Sequence, residues 1–391
     1  MYSENIKDIT MSNQQVSIKN LILSLIVFLY NLRDFTRGVI TTIWLRYSPI
    51  FLKDKNYLMY SNISINKTLR KNLSSSNLDK LDPNWVTGFC DAEGCFSVII
   101  DTTNPDKGKV RISFEINLHE KDQDILYKIK SFFGVGNVYH RSDRKKSIFR
   151  VTNANYINNV IIPHFRNYPL ISKKSSDFIL WSKVVDLILN KEHLTEKGFL
   201  EILSLYASIN LVPGGACGAW DRQSRGVSKK VSKIYTNIVP AFKPNPLLPD
   251  NLNPQWVSGF VAGDGGFSIY VRPAKDYVLG EKVYCRFHIT QHSKDLELMK
   301  LFIAFFGCGT VSVRSNTSTP RCDYFVQDTT NIIANIIPHF DTYPLLNLKQ
   351  KDYECFNECM TILKLKQHLN LDGLNRVKSL NLEMNSNRLK D

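Results

Sequence analysis

Two stretches of this 391-residue chain spell the same motif. Pro83-Asn-Trp-Val-Thr-Gly-Phe-Cys-Asp-Ala-Glu-Gly-Cys-Phe-Ser97 is answered by Pro254-Gln-Trp-Val-Ser-Gly-Phe-Val-Ala-Gly-Asp-Gly-Gly-Phe-Ser268. Trp85 and Trp256 lie 171 residues apart, as do Glu93 and Asp264. Further on, Phe114–Asp122 matches Phe287–Asp295 at an offset of 173. Phe132-Phe-Gly-Val-Gly136 matches Phe305-Phe-Gly-Cys-Gly309. Ile161-Ile-Pro-His-Phe165 and Tyr168-Pro-Leu170 match Ile336-Ile-Pro-His-Phe340 and Tyr343-Pro-Leu345, and His193 and Asn210 answer His368 and Asn385. Blocks in one order with so little drift record a duplication. Two copies are too few for a solenoid, so the chain is expected to form two similar halves about a pseudo-two-fold axis.

The duplication fixes the organisation. The first half is expected over 76–210 and the second over 254–391. Residues 211–253 hold Gly214, Gly215, Gly218, Pro240, Pro244, Pro246 and Pro249 and read as a linker, with an insertion-like stretch over 211–223. Residues 1–75 read as an N-terminal leader or host-frame extension. Their apolar run, Leu21–Tyr30, is about half the roughly 20 residues that span a bilayer, and Arg33, Asp34 and Arg37 stop its continuation. Glu4 and Asp8 precede the run and no small-residue cleavage site follows closely, so it makes a poor signal peptide. A membrane-associated segment is the alternative reading.

Composition narrows the class. At 43% hydrophobic and 22% charged residues, collagen-like, coiled-coil and largely disordered chains are excluded. Fifty Lys and Arg against 36 acidic residues give a net charge of +14, which favours a polyanionic partner, most simply nucleic acid. The eight cysteines show neither CxxC blocks nor zinc spacing and read as reduced thiols of an intracellular protein. Abundant Asn, Ile and Lys suit AT-rich coding DNA and hint at an organellar gene.

Within each half the hydrophobic periods alternate. Trp85–Ala92 reads as a short helix, capped by Asp82 or Asn84 with Pro83 in its first turn and ended by Gly94. Cys95–Ile100 and Val110–Leu118 read as strands and Lys121–Phe133 as a helix closed by Gly134. A second hairpin follows at Val138–Tyr139 and Ile148–Thr152, then helices over Asn155–Phe165 and Ser175–Leu189. Each half is thus helix, two strands, helix, two strands, helix, an α+β plan.

The motif carries chemistry in its small residues and its acids. Gly88 and Ala92 share one helix face, as do Gly259 and Gly263, and small residues four apart let two helix backbones approach closely. If the two copies pack on these faces, Glu93 and Asp264 become neighbours at one end of the pair. Two such carboxylates repel unless cations lie between them, and Mg²⁺ (or Mn²⁺) with oxygen ligands resolves the repulsion while binding phosphate oxygens. Gly94 and Gly265, which follow the acids, belong to the same candidate metal site. An acidic metal site in a basic protein describes a nuclease.

Val86-Thr-Gly-Phe-Cys-Asp-Ala-Glu-Gly94 and Val257-Ser-Gly-Phe-Val-Ala-Gly-Asp-Gly265 resemble the paired motifs of single-chain LAGLIDADG homing endonucleases, typically encoded in organellar introns. The resemblance spans about residues 80–390. It implies αββαββα halves forming a saddle of two antiparallel sheets over double-stranded DNA, in a monomer that works in the mitochondrion. It also implies Mg²⁺-dependent cleavage of both strands across the minor groove. By that resemblance the eighth motif position, Glu93 and Asp264, binds metal. The sixth is Asp91 in one copy and Ala262 in the other, a departure expected to matter little because that position usually caps or packs. Lys174 and Lys349 align with the basic residue that such enzymes place near the scissile phosphates, the alternative being an exposed lysine at a helix start. Gln291 falls where a polar residue orients the attacking water, but its counterpart is Leu118, so the two centres are expected to be unequal. His119 and His292 read as caps.

Strand alternation puts Ser97, Ile99, Arg111, Ser113, Glu115 and Asn117 on one face of the first sheet. In the second sheet the same face carries Ser268, Tyr270, Arg272, Tyr284, Arg286, His288 and Thr290. Alternation alone leaves open whether this face reads DNA bases or is simply solvated; the resemblance implies the former. The basic loop with Arg141 and Arg144 suits phosphate contacts. Two alternatives to the endonuclease reading remain at this stage. One is a maturase binding intron RNA on the same fold, and the other is a degenerate DNA-binding remnant. Retention of both Glu93 and Asp264 favours cleavage.

Overall fold

Asp82 caps the first helix among the described residues: its carboxylate accepts the Asn84 amide at 2.8 Å and the Trp85 amide at 3.4 Å, and Pro83 occupies a first-turn site where no N–H is needed. Of the two caps the sequence offered, Asp82 is the one used. The computed structural model describes residues 81–101, 110–209, 229–235, 238–314 and 320–385. The chain divides into Met1–Asn77 and Leu78–Asp391, and all the described residues fall in the second unit. Residues 1–75, expected to be a leader, with their apolar run, and the insertion-like stretch over 211–223 lie outside the described residues. Among the described residues no helix is long and apolar enough to cross a membrane.

The first half runs α1 (Pro83–Glu93), β1 (Gly94–Ile100), β2 (Val110–His119), α2 (Gln123–Phe133), β3 (Asn137–Arg141), β4 (Lys146–Val151), α3 (154–167) and α4 (Lys174–Leu189). His119 accepts the Lys121 amide at 3.2 Å and caps a 3-10 turn that leads into α2. Helix α3 contains a π segment, Ile157–Ile161, immediately ahead of Pro163. A proline ring collides with the carbonyl four residues back, and the wider π turn makes room for it. A further helix, α5 (Glu196–Ser208), follows α4 and was not anticipated from the sequence. The linker is not wholly irregular: it holds a short helix, α6 (Lys229–Ile234), and then binds back, with Ala241 N donating to Ser204 O at 3.0 Å.

The second half repeats the plan as α7 (Pro254–Asp264), β5 (Gly265–Pro273), β6 (Glu281–His292), α8 (Leu296–Phe306), β7 (Thr310–Val313), β8 (Arg321–Val326), α9 (329–342) and α10 (Lys349–Lys364). It repeats the π segment too, at Ile332–Ile336 before Pro338, and the extra helix, α11 (Leu371–Leu382). The sheets have orders β1-β2-β4-β3 and β5-β6-β8-β7, antiparallel throughout. One face of each is apolar and covered by helices. Phe96 packs on Phe114, Phe165, Phe178 and Trp181, and its counterpart Phe267 on Phe287, Phe340, Tyr353 and Phe356. One continuous apolar core joins the halves.

Candidate active site and nucleic-acid interface

The halves meet along the motif helices, and the meeting is one of backbones. A Cβ on Gly88 would lie 2.0 Å from the Trp256 carbonyl oxygen, and a Cβ on Gly259 the same 2.0 Å from the Trp85 carbonyl oxygen. Further along, a Cβ on Gly263 would strike Ala92 at 2.3 Å and approach the Glu93 side chain at 3.1 Å. Real Cβ atoms cannot take such positions, so α1 and α7 lie closer than any larger residue at these sites allows. Because each α-helix ends at its acid, this approach sets Glu93 and Asp264 side by side.

The carboxylates are recessed but still reach solvent. Burial raises the pKa of both, and the Glu93 charge adds to the effect on Asp264, which is pushed up to about 7. Two lysines oppose this. Lys174 Nζ donates to Cys90 O and Ala92 O at 3.2 and 2.9 Å, and Lys349 Nζ to Val261 O, Gly263 O and Gly265 O at 3.1, 2.6 and 2.6 Å. Each ammonium thus closes the C-terminal end of a motif helix, where the helix dipole is negative, and each lowers the pKa of both acids. The alternative of an exposed helix-start lysine is overturned: both side chains turn inward onto the carbonyls at the ends of the motif helices. Gln291 Nε2 hydrogen-bonds Asp264 Oδ2, whereas Leu118 offers Glu93 nothing comparable. One lone pair of the Gly265 carbonyl is already taken by Lys349.

These donors suit a hard dication. Two carboxylates held together against repulsion are an incomplete oxygen set, to be finished by water and phosphate oxygens in the manner of Mg²⁺. Among the described residues no group of three or more His, Cys, Asp or Glu is placed to hold a metal, so a zinc-type cage is not offered.

Several contacts that hold this centre were not legible in the sequence, where Asp91 read only as a capping or packing residue. Asp91 accepts Ile171 N at 2.9 Å, Ser172 N at 3.3 Å, Ser172 Oγ at 2.6 Å and, from the other half, Trp256 Nε1 at 2.9 Å. It therefore fixes the turn that delivers Lys174. In the second half Ala262 replaces the acid, Asn347 Nδ2 donates to the Ala262 carbonyl at 2.9 Å, and buried Trp85 Nε1 finds no partner. The halves also clasp each other: Asp295 accepts Lys173 N at 2.7 Å and Asp122 accepts Leu348 N at 3.0 Å. The duplicated Lys-Asp pairs at 121–122 and 294–295 were the available signal, but pairing across halves is invisible in one dimension. Each Pro-His-Phe block is a further tie. Thr87 Oγ1 donates to Tyr168 O at 3.1 Å, so His164 Nε2, 3.0 Å away, must carry the proton and donate to that hydroxyl. Ser258, His339 and Tyr343 repeat the arrangement at 2.7 and 3.1 Å.

Comparison with known proteins decides the family. The model of the LAGLIDADG endonuclease family matches residues 86–185 and 257–360, one stretch in each half. The chain belongs to the LAGLIDADG endonuclease family. It is 36% identical over 304 residues to "Probable intron-encoded endonuclease 2" of Neurospora crassa, covering 77% of this chain and 64% of that protein. With "Probable intron-encoded endonuclease 3" of the same fungus it shares 30% over 302 residues, covering 76% of this chain and 53% of the relative. The chain thus spans roughly half to two thirds of these two relatives. Among solved structures it is similar to the meganuclease I-SmaMI bound to uncleavable DNA with a TTGT central four. That similarity has a TM-score of 0.72 at 32% identity and covers 79% of this chain and 98% of the other.

In this member of the family the residues anticipated on the outer sheet faces are unevenly placed. Arg111 is exposed and Glu115 and Asn117 are half-buried, but Ser97 and Ser113 are buried, at 3% and 4% exposure. This corrects the expectation that they present hydroxyls to DNA. Both are short side chains among longer ones, and Ser113 Oγ donates to Glu115 Oε1 at 2.7 Å instead. In the second sheet Arg272 is exposed, while Ser268, Tyr270, Tyr284, Arg286, His288 and Thr290 are half-buried. Tyr270 and Tyr284 stack at 4.7 Å with the Arg272 guanidinium over both rings. Arg141 and Arg144 are exposed beside Asp143.

Proposed function

We propose that the chain is a site-specific double-strand DNA endonuclease that hydrolyses one phosphodiester in each strand, across the minor groove, with Mg²⁺ or Mn²⁺. The observation that carries this reading is the pair of recessed carboxylates, Glu93 and Asp264, held together at the ends of glycine-lined helices. Glu93 and Asp264 would hold the metal, with Gly94 and Gly265 beside them. Bound there, the ion supplies Lewis-acid stabilisation to the phosphodiester under attack. Lys174 and Lys349 keep fixed positive charge behind the carboxylates, where it lowers the cost of keeping both ionised and opposes the negative charge that develops on phosphate. Gln291, anchored on Asp264, orients the attacking water in the second centre. Arg141 and Arg144 contact phosphates, and the outer sheet faces meet the major groove on either side. The intron-encoded relatives and the coding composition support a mitochondrial location, with the matrix as the compartment where it would meet its DNA. It acts there as a monomer whose two halves supply the two centres.

A plasmid carrying the joined exons that flank the reading frame is the test. With Mg²⁺ the full chain is expected to linearise it, and Glu93→Gln and Asp264→Asn variants to bind but not cut. Linearisation by the double variant would falsify the metal-site assignment.

A further inference from the structure

The two outer sheet faces differ most at one level, midway along the central strands. In the first sheet that level is closed. Glu115 forms an ion pair with Arg150, Nε to Oε1 at 2.9 Å, receives a second bond from Arg150 at 3.2 Å, and takes the Ser113 hydroxyl. The matching positions in the second sheet are Arg286 for Ser113, His288 for Glu115 and Phe325 for Arg150, as the two registers show. The acid has gone and a cation has entered. Arg286 lies over the Phe325 ring with its guanidinium carbon 4.2 Å from the centroid. It forms no ion pair among the described residues, and its buried Nε has no hydrogen-bond partner; neither does the buried Nδ1 of His288 beside it. Asp323 is the acid whose charge reaches Arg286, but both its oxygens are engaged. Arg314 binds it at 2.6 and 2.7 Å and Thr290 Oγ1 at 2.5 Å.

An arginine held this close over an aromatic ring has lost much of its rotamer freedom before any ligand arrives, and its planar fork keeps its donors aligned. What matches such a fork in a major groove is a pair of adjacent acceptors on one base edge, the N7 and O6 of guanine. We propose that Arg286 is a guanine-reading residue of the second half-site, oriented by Phe325, and that the first half has no counterpart because Arg150 is held in an ion pair with Glu115. This rests on the reading of the chain as a DNA endonuclease and adds which residue sets sequence preference, and for which base.

The test is selection of bound duplexes from a randomised double-stranded DNA library by the full chain in Ca²⁺, followed by sequencing. The unsubstituted chain is expected to enrich a site with a fixed G·C pair at one position. Arg286→Lys, which keeps the charge but loses the fork, is expected to lower discrimination at that position alone by roughly 5- to 150-fold, the worth of one bidentate contact. Phe325→Leu, which leaves Arg286 in place but unsupported, is expected to weaken the same position by a smaller factor. Retention of every preference by Arg286→Lys, or an equal loss at all positions, overturns the assignment while leaving the endonuclease reading intact. Failure of the unsubstituted chain to enrich any sequence overturns site-specific recognition itself, and the assignment with it.

Discussion

The first and second halves share a backbone plan and part company in how each completes its polar groups. At the sixth motif position the first half has Asp91, which ties down the turn ahead of Lys174 and takes the indole N–H of Trp256 from across the interface. The second half has Ala262, delivers Lys349 through Asn347, and leaves the Trp85 indole unpaired in the core. At the acids the imbalance reverses: Asp264 has Gln291, and the position matching Gln291 in the first half is Leu118, which has no donor to offer Glu93. The comparison teaches that duplication conserved the helix contact and the placement of carboxylate and lysine. The hydrogen bonds around them diverged, each half retaining a different subset.

Breaking the shared feature should have the largest effect, and the same effect from either side. Gly88→Ala and Gly259→Ala each drive a Cβ into a backbone carbonyl that cannot move aside, so each is expected to cost about 3 kcal/mol or more in urea unfolding. A cost under about 1 kcal/mol would show that the helices part easily. Next come the tryptophans. Trp256→Phe removes a bond to buried Asp91, whereas Trp85→Phe removes an N–H that has no partner; the first should cost about 2 kcal/mol more than the second. Equal costs would mean the Trp85 indole is satisfied in solution.

The two Pro-His-Phe histidines, His164 buried and His339 half-buried, should behave alike. Burial lowers His164 and His339 to about 4, below their unfolded value near 6.5. The neutral ring therefore stabilises the fold above 6.5, and this contribution fades as pH falls toward 4. The destabilisation caused by His164→Gln should accordingly shrink by about 2 kcal/mol between pH 7 and pH 5, and that caused by His339→Gln by the same amount. A pH-independent penalty in both variants would show that the rings titrate normally. The smallest effect sharpens the contrast at the acids. On a strand-labelled target, Gln291→Leu should slow nicking of one strand by about tenfold and leave the other unchanged. Equal slowing of both strands would remove Gln291 from a single centre.

Much of this was readable in one dimension. The repeated motif, its caps and its alternating strands follow from local chemistry: a side chain that caps a helix, a period of two, a glycine every fourth residue. Those signals gave the α+β halves, and they identified Glu93 and Asp264 as partners because a matched pair of acids behind matched glycines has few other uses. The extra helices α5 and α11 were missed because only the isolated matches His193/His368 and Asn210/Asn385 bracket them, with no patterned block in between. Ser97 and Ser113 were misjudged because alternation assigns a face but not the height of the neighbours standing on it.

Folding in three dimensions decided the rest. Lys174 and Lys349 point at the motif-helix ends because terminal carbonyls are there to receive them, and no spacing rule reports that. Asp91 with Trp256, and Asp122 and Asp295 with the opposite halves, depend on groups 122 to 226 residues distant along the chain. Pattern in a sequence records what a residue does to its near neighbours. Which distant group satisfies a buried donor or charge is settled only when the two halves close on each other and exclude the water that satisfied it before.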